Sequence, residues 1–369
     1  MKEIYNDRIK KLREKLKDND LDAMIIFSAE NRYYLSGFNA EDSQINESSG
    51  VLIISIDNLI ISTDARFETQ AAIEAPDFEP VIYKKGLSSE IKSIFKKFQA
   101  KKIGFESERV SFSTYNTLLK EIDSDIELVP SDDLIAEIRI IKTEDEIDVI
   151  RKAIGIAEVA FKDTVGALKE GMTEKEIAWI LEQNIKNRGG DGLSFTSIIA
   201  YGKNSALPHA IPGNNKIKKG GPLLFDWGVK YEGYCSDTSR TLSIGEPDSH
   251  FLKVYNTVFK AQSLAMDKIK DGESSVEVDK AARDYINESG FEGKFGHGLG
   301  HGVGLEVHEP PRLSPIKKTI IKEGMIVTVE PGIYLPEWGG VRLENMAVVR
   351  KECAEVLNTL SYDDYIVEI

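Results

Sequence analysis

The chain has 369 residues, which is more than one ordinary hydrophobic core holds and suits two domains. Its 47 basic and 61 acidic residues give a net charge of −14, which argues against nucleic acid or an anionic membrane surface as a partner. Its longest apolar run, Val51–Ile56, is far shorter than the roughly 20 residues that cross a membrane.

The first 20 residues are charged and helix-like, without an apolar stretch that could serve as a signal peptide. The chain has two cysteines, Cys235 and Cys353, which are too few for a disulfide framework and fit a reducing cytosol. We expect both to be small buried residues and expect no thiolate metal site. Together these features predict a cytoplasmic protein.

Residues 1–135 alternate strand and helix patterns, which predicts a small α/β domain. The run 51–61 is expected to be a hairpin that turns at Asp57-Asn58. Since the domain contains no histidine or cysteine, we expect it to act in scaffolding, assembly or substrate gating. The predicted elements are strands at 21–27, 51–61 and 103–105 and helices at 89–98 and 113–122.

A second domain is expected over residues 136–369. Thr143 and Glu146 form a capping-box pattern ahead of apolar residues with helical spacing, and Thr173 and Glu176 repeat it. The sequence therefore predicts a long amphipathic helix followed by a shorter one, which stops at Gly189-Gly190.

An internal repeat relates Lys169–Ile177 to Lys270–Val278. The match is weak residue by residue, but each copy lies between a long and a shorter predicted helix. Each copy then leads to strand-rich sequence, at Leu223–Leu242 and at Met325–Arg350. A duplicated helix–helix–hairpin unit would place two antiparallel hairpins around a central cleft.

Asp226 and Asp237 bracket a predicted hairpin. A turn centred on Tyr231-Glu232 would place the two aspartates directly opposite each other, and a turn at Glu232-Gly233 would place them diagonally. In either register they share a face, because strand side chains alternate with period two. Like charges placed this way repel unless a cation lies between them; a pair of solvated aspartates is the alternative.

Three of the five histidines, His297, His301 and His308, fall within twelve residues of a glycine-rich segment. Glycine allows close backbone approach and unusual backbone angles, as in a loop that surrounds a ligand. A single histidine is more often structural, but three in such a loop favour a functional site.

Glu330 follows the apolar run Ile326–Val329 and precedes the turn pair Pro331-Gly332. A carboxylate at the end of a buried strand needs a partner. Glu344 follows on the next predicted strand, with Arg342 on the same face. An ordinary Arg342–Glu344 salt bridge is the alternative to a ligand role for Glu344.

These residues offer four carboxylates and one imidazole, and such oxygen-rich ligation favours Mn, Fe or Co over structural zinc. Because four carboxylates overcompensate one divalent ion, two ions are the more neutral solution, and an ion pair can clamp the attacking and departing oxygens. The predicted metal ligands are Asp226, Asp237, His301, Glu330 and Glu344.

The second domain resembles the pita-bread family of metallopeptidases, which includes methionine aminopeptidases, Xaa-Pro aminopeptidases, prolidases and the metal-free creatinase. Ala29–Phe38 (AENRYYLSGF) is similar to the N-terminal domain of the proline-specific and creatinase branches. Ser205–Ala210 (SALPHA) is similar to the segment that carries a substrate-side histidine. The resemblance implies an α/β creatinase-like N-terminal domain followed by an α+β pita-bread domain with an internal pseudo-two-fold repeat.

Carried over residue by residue, the resemblance implies that Asp226 chelates one metal ion and His301 the other, while Asp237 and Glu344 bridge them. Glu330 would bind metal and pass a proton from the attacking water to the leaving nitrogen. Mn or Co is the expected metal, with Fe and Zn as alternatives.

The resemblance also implies substrate contacts. His209 and His308 would hold the substrate carbonyl and stabilise the tetrahedral intermediate. His297 would lie near the substrate groove, and Arg342 would orient Glu344. Asn345 departs from the family, in which an aspartate often follows the glutamate; we expect little effect, because this residue is not a ligand.

Arg312 is similar to the residue that in some prolidases captures the free carboxylate of the substrate, and a guanidinium can clamp a carboxylate through two hydrogen bonds. This favours a dipeptidase that cleaves Xaa-Pro bonds; Arg312 as a surface residue is the alternative. An Xaa-Pro aminopeptidase acting on longer peptides, a creatinase-type hydrolase and an inactive peptide-binding module are the other functional interpretations. A homodimer is expected from the resemblance alone.

Overall fold

The structure is a computed structural model that describes residues 3–42, 44 and 47–369. The chain divides into two compact units, Met1–Arg139 and Ile140–Ile369. Among the helices of the described residues, none is long and apolar enough to cross a membrane.

The first unit is an α/β sandwich, as the sequence predicted. Its sheet has the order β4-β3-β2-β1-β5-β6, in which β2 pairs antiparallel with β1 and with β3 and the other neighbours are parallel. The elements are α1 (Glu3–Asp18), β1 (Ala23–Ile26), α2 (Ala29–Ser36), β2 (Val51–Ser55), β3 (Leu59–Thr63), α3 (Glu68–Glu74), β4 (Glu79–Ile82), α4 (Ser88–Phe98), β5 (Lys102–Phe105), α5 (Phe112–Glu121), β6 (Glu127–Pro130) and α6 (Asp133–Arg139).

The predicted β2–β3 hairpin is present, and the Ser55 amide donates to the Asn58 carbonyl at 3.0 Å to close its turn. The strands of the sheet centre are apolar on both faces and are buried, as expected where helices cover a sheet. Helix α4 contributes Ile91, Ile94 and Phe95, which are spaced to share one helix face, to this core.

The second unit combines two helix pairs with mainly antiparallel sheets. Short irregular helices occur at Gly202–Ala206 and Asn287–Phe291. The regular elements are α7 (Glu144–Gly166), α8 (Glu174–Asn187), β7 (Gly192–Leu193), β8 (Ile198–Tyr201), β9 (Pro222–Trp227), β10 (Val229–Tyr231), β11 (Tyr234–Cys235), β12 (Thr238–Ile244), α9 (Ser249–Met266), α10 (Ser275–Ile286), β13 (Gly300–Gly302), β14 (Glu309–Leu313), β15 (Ile326–Val329), β16 (Gly332–Leu335), β17 (Gly339–Arg342), β18 (Asn345–Val349), β19 (Ala354–Val356) and β20 (Ile366–Val367).

Helices α7 and α8 start at the two predicted capping boxes. The Thr143 hydroxyl accepts from the Glu146 amide, and the Glu146 carboxylate accepts from the Thr143 amide in return. Thr173 and Glu176 make the same reciprocal pair. Each box satisfies two amides that would otherwise lack partners at the helix start.

The internal repeat is visible in the order of elements. Helix α7 packs on α8, and α9 packs on α10. At the start of the second helix of each pair, an isolated β-bridge joins the chain to a later segment, Thr173 to Lys216 and Ser274 to Ile320. Each half continues into a sheet, ordered β20-β12-β9-β8 in the first and β14-β13-β15-β18-β19 in the second. All neighbours pair antiparallel except β12 and β20, which are parallel.

Alternation along β9 directs one face to the helices and the other to the interior of the unit. Trp227 is fully buried, stacks on Phe161 with ring centroids 4.5 Å apart, and donates from its indole nitrogen to the Ala157 carbonyl at 3.0 Å. Phe225 belongs to the same core. Asp226 therefore faces away from the helices.

The cysteines differ in their surroundings. Cys235 is buried, as predicted, but the prediction that Cys353 is buried is wrong, because Cys353 is exposed in the turn between β18 and β19.

Gly228, between β9 and β10, offers a test of the hairpin geometry. A Cβ on this residue would lie 2.0 Å from the Ser236 carbonyl oxygen, so Gly228→Ala requires the backbone to move. We expect it to destabilise the second unit by about 3 kcal/mol. Thermal unfolding measures the effect, and an unchanged melting temperature would contradict the close approach.

Gly155 is the matched control, because it is exposed on α7 and a Cβ there meets open space. Gly155→Ala is expected to stabilise the protein by up to about 1 kcal/mol, since alanine favours the helix.

Candidate metal centre

Two aspartates approach each other across a hairpin. Asp226 pairs with Ser239 between β9 and β12, so the turn lies at Glu232-Gly233 and Asp237 is diagonal to Asp226. Glu232 and Gly233 have φ of 47° and 80°, as a two-residue turn of this handedness requires. Of the two registers left open by the sequence, the diagonal one is correct, and both carboxylates line one cavity of about 680 Å³.

His301, on β13, presents a nitrogen to these carboxylates. Its Nδ1 lies 3.0 Å from the Gly302 carbonyl oxygen, which can only accept, so Nδ1 carries the proton. The unprotonated Nε2 then faces Asp237 Oδ2 at 3.6 Å and Glu330 Oε1 at 3.4 Å. Burial and the neighbouring His308 lower the pKa of His301 to about 3, which keeps the ring neutral. The lone pair of Nε2 therefore points toward the two carboxyl groups.

The two glutamates complete the wall of the cavity. Glu330 directly follows β15, and its amide donates to the Leu299 carbonyl at 2.8 Å, which ties it to the glycine-rich segment. Glu344 lies between β17 and β18, and its amide donates to the Ser239 carbonyl at 3.0 Å. The second contact joins the two halves of the repeat at the site.

Burial and mutual repulsion raise the pKa of three of these carboxyl groups. The pKa of Glu330 rises to about 8, mainly through burial. Asp237 and Glu344 have pKa values well above the ordinary range, because each is buried and faces the other carboxylates. Such a group of like charges is stable in the ionised form only beside positive charge.

The donor set fits divalent cations. Asp226 Oδ1 and Glu344 Oε1 are buried without a hydrogen-bond partner among the described residues. One ligand atom each from Asp237, His301 and Glu344 lies within 4.8 Å of the others. Buried acceptors without donors are rare in proteins, and a cation coordinated by oxygen and imidazole would satisfy them.

Arg342 contacts Asp226 directly and Glu344 indirectly. Its Nη2 donates to Asp226 Oδ2 at 2.6 Å, and this is its ion pair among the described residues. Its Nε donates to the Ser239 hydroxyl at 2.9 Å, which in turn donates to Glu344 Oε2 at 2.9 Å. The alternative of a direct Arg342–Glu344 salt bridge is thus not found among the described residues, and the orienting role of Arg342, which would act through Ser239, stays a prediction.

His297 is engaged within the protein. Its Nδ1 donates to the Gly298 carbonyl at 2.8 Å, and its Nε2 accepts from the Tyr334 hydroxyl at 2.9 Å. That hydroxyl also accepts from Arg342 Nη1 at 2.9 Å. Burial and the positive charge of Arg342 lower the pKa of His297 to about 4. His297 lines the cavity, but both of its ring nitrogens have partners within the protein, and Nε2 supports Arg342 through Tyr334.

Sequence reasoning missed Ser239 and Tyr334. Ser239 could have been found, because it lies two residues after Asp237 and therefore shares its strand face. Tyr334 gave no such signal, since its position depends on the pairing of β16 with β17.

The remaining predicted residues, His209, His308 and Arg312, also line the cavity. The ring of His308 packs edge-on against His301 with centroids 4.4 Å apart. Arg312 is exposed on β14, and its guanidinium has no hydrogen bond or ion pair within the part of the chain that the structure describes. These side chains are therefore available to a molecule bound in the cavity.

Comparison with known proteins gives matches over both units. Residues 148–351 match Metallopeptidase family M24, and residues 8–141 match the Creatinase/Prolidase N-terminal domain. The Xaa-Pro dipeptidase of Pyrococcus furiosus is 36% identical over 351 residues, which cover 95% of this chain and 97% of that protein.

Solved structures agree in fold. An Xaa-Pro dipeptidase from Bacillus anthracis superposes with a TM-score of 0.92 at 34% identity and covers 99% of this chain and 100% of its own. An X-Pro aminopeptidase from Thermotoga maritima gives 0.89 at 35% identity, with 97% and 99% covered. The chain therefore belongs to metallopeptidase family M24, with a creatinase/prolidase-type N-terminal domain and the predicted pita-bread fold.

Proposed function

We propose that this metallopeptidase cleaves the Xaa-Pro bond of short peptides and acts mainly on dipeptides. The proposal rests on the convergence of four buried or half-buried carboxylates and a neutral imidazole in one cavity, which exposed side chains that can bind substrate also line. An inactive peptide-binding module would not need this cluster, since buried like charges are costly to maintain.

Two divalent cations, Mn or Co with Fe and Zn as alternatives, would be held by the predicted ligand set. When bound, the cations would polarise the scissile carbonyl and lower the pKa of the attacking water. The proposed ligands are Asp226, Asp237, His301, Glu330 and Glu344.

Glu330 is proposed to move the proton. Its side chain is 17% exposed, against 6% for Asp237 and His301, so its carboxylate is the more accessible from the cavity. It would take a proton from the attacking water and deliver it to the leaving proline nitrogen. His209 and His308 would donate hydrogen bonds to the developing oxyanion.

Arg312 supports the preference for dipeptides. In a dipeptide, the carboxylate lies on the proline directly after the scissile bond, and a guanidinium without an internal partner can clamp it through two hydrogen bonds. A longer peptide has no carboxylate at that position. An aminopeptidase acting on longer peptides is the second candidate, which the named activity of the Thermotoga maritima structure favours.

We extend the proposal to the cellular context. We keep the domain limits at 135 and 136, which rest on the pattern of strands and helices, and the assembly or gating role of the N-terminal domain, which rests on its lack of histidine and cysteine. A cytoplasmic location is proposed from the sequence, and a homodimer from the family resemblance alone. The cysteine content of only two, Cys235 and Cys353, is too low for a disulfide framework and supports a reducing compartment.

The rates of cleavage of Ala-Pro and Ala-Pro-Ala by metal-stripped protein resupplied with Mn²⁺ or Co²⁺ test the substrate class. We expect Ala-Pro to be cleaved faster, and Arg312→Ala to lower kcat/KM about tenfold or more for Ala-Pro only, through loss of a charge-assisted hydrogen bond. Lys318→Ala, an exposed cation on the following loop, is the control. Cleavage of Ala-Pro-Ala with the dipeptide spared would make the protein an aminopeptidase.

Glu330→Gln tests the proton transfer. The amide retains the shape of the side chain but cannot accept a proton, so we expect kcat to fall at least about 100-fold while the fold and part of the metal binding remain. Turnover and metal content are measured together. Glu337→Gln changes an exposed carboxylate seven residues later and should leave kcat unaltered. Wild-type turnover in Glu330→Gln would refute the proposed role.

Metal uptake should release protons. With a pKa of about 8, Glu330 is mostly protonated at pH 7, and cations favour its ionised form. Calorimetric titration of metal-stripped protein with Mn²⁺, in two buffers of different ionisation enthalpy, should give different heats at pH 7. At pH 8.5, above this pKa, Glu330 is already mostly ionised before the metal binds, so fewer protons should be released. Buffer-independent heat at pH 7 would contradict the assignment.

A further inference from the structure

Glu174, in the first turn of α8, is a buried carboxylate outside the metal centre. Its side chain is fully buried, and it has no lysine or arginine ion pair among the described residues. An isolated buried carboxylate is costly, so its stabilisation must come from hydrogen bonds.

Those hydrogen bonds come from the two ends of one loop. At the first end, the Tyr201 amide donates to Oε1 at 2.8 Å, and Asn204 Nδ2 lies 3.0 Å from both carboxylate oxygens. At the other end, the Gly213 amide donates to Oε2 at 2.8 Å, and Asn215 Nδ2 lies 3.4 Å from Oε1. The carboxylate therefore closes the loop 201–215 from inside.

The residues between these ends form one wall of the catalytic cavity. Pro208, His209, Ile211 and Pro212 all line it. The His209 side chain itself is exposed, so its position depends on the backbone that carries it rather than on packing around the ring. Glu174 fixes that backbone four residues after His209 and five before it.

The internal repeat places a similar anchor on another wall. Ser275 corresponds to Glu174 in the repeat and also opens the second helix of its pair. Its hydroxyl accepts from the Thr319 amide at 2.9 Å and lies 3.3 Å from the Lys317 carbonyl. The loop it holds carries Ile316, which lines the same cavity. Both halves thus have a side-chain anchor at this helix position. In the first half the anchor is a carboxylate, and it accepts hydrogen bonds from more donor groups than the Ser275 hydroxyl does.

We propose that Glu174 is a positioning residue that holds the loop 201–215 so that His209 meets the substrate. This inference rests on the proposed function, because that function gives His209 its role. The anchoring of the loop can be measured independently of activity.

Glu174→Gln is the direct test. The glutamine keeps one acceptor but turns an NH₂ group toward the amides and Asn204, so donors face each other and the loop is released. We expect kcat for Ala-Pro to fall about tenfold with metal content retained, and amide hydrogen exchange over 202–213 to accelerate. In a His209→Ala background, the same substitution should change kcat less than about twofold, because the group it positions is already gone.

Glu176→Gln is the matched control, since it makes the same chemical change two residues later on the exposed capping box. It should lower the melting temperature slightly and leave kcat and loop exchange unaltered. Asn204→Ala removes one donor and leaves the Glu174 carboxylate in place. It should lower kcat and accelerate exchange in the loop less than Glu174→Gln does, and it replaces Glu174→Gln as the test if that variant does not fold.

Three results would overturn the inference: wild-type kcat in Glu174→Gln, an equal loss of kcat with and without His209, or unaltered exchange in the loop. If the wild-type protein fails to cleave Xaa-Pro bonds, the proposed function fails, and hydrogen exchange alone still decides whether Glu174 anchors the loop.

Discussion

Mutual repulsion between buried carboxylates is the constraint on which the second unit depends. Asp237 and Glu344 are almost completely buried and face Asp226 and Glu330. When ionised, these four carboxylates repel one another, and burial makes each charge more costly. The protein holds them together with a rigid backbone and offsets part of the charge with one guanidinium, that of Arg342. The orphaned acceptor atoms show that this internal compensation is incomplete, which is the condition under which cations bind tightly.

The fold supplies the rigidity through its duplication. Each half packs a helix pair against a sheet. In the first half, Asp226 lies between the buried Phe225 and Trp227 and points toward the cavity. The backbone bond from Glu344 to Ser239 joins the halves, and Arg342 links Asp226 to Ser239. Substrate-facing groups lie on loops that are anchored at the starts of helices, so the cavity walls and the charged cluster are positioned by separate contacts.

The sequence predicted much of this, because the relevant signals are local. Period-two alternation was enough to place Asp226 and Asp237 on one face, and the capping boxes located α7 and α8. The hairpin register stayed open, since it depends on positive φ at Glu232. The contact of Arg342 with Asp226 was not foreseen, because the two residues are 116 positions apart and lie in different halves. Tyr334 was missed because its contacts with Arg342 and His297 depend on the pairing of β16 with β17 and on the fold around it.

We propose that this cluster holds two divalent cations. Anomalous diffraction at the manganese edge, from crystals of metal-stripped protein soaked in Mn²⁺, tests it most directly. Two peaks are expected in the cavity, with Asp237 and Glu344 each within bonding distance of both ions. A single peak, or peaks only outside the cavity, would contradict the assignment of the ligand set.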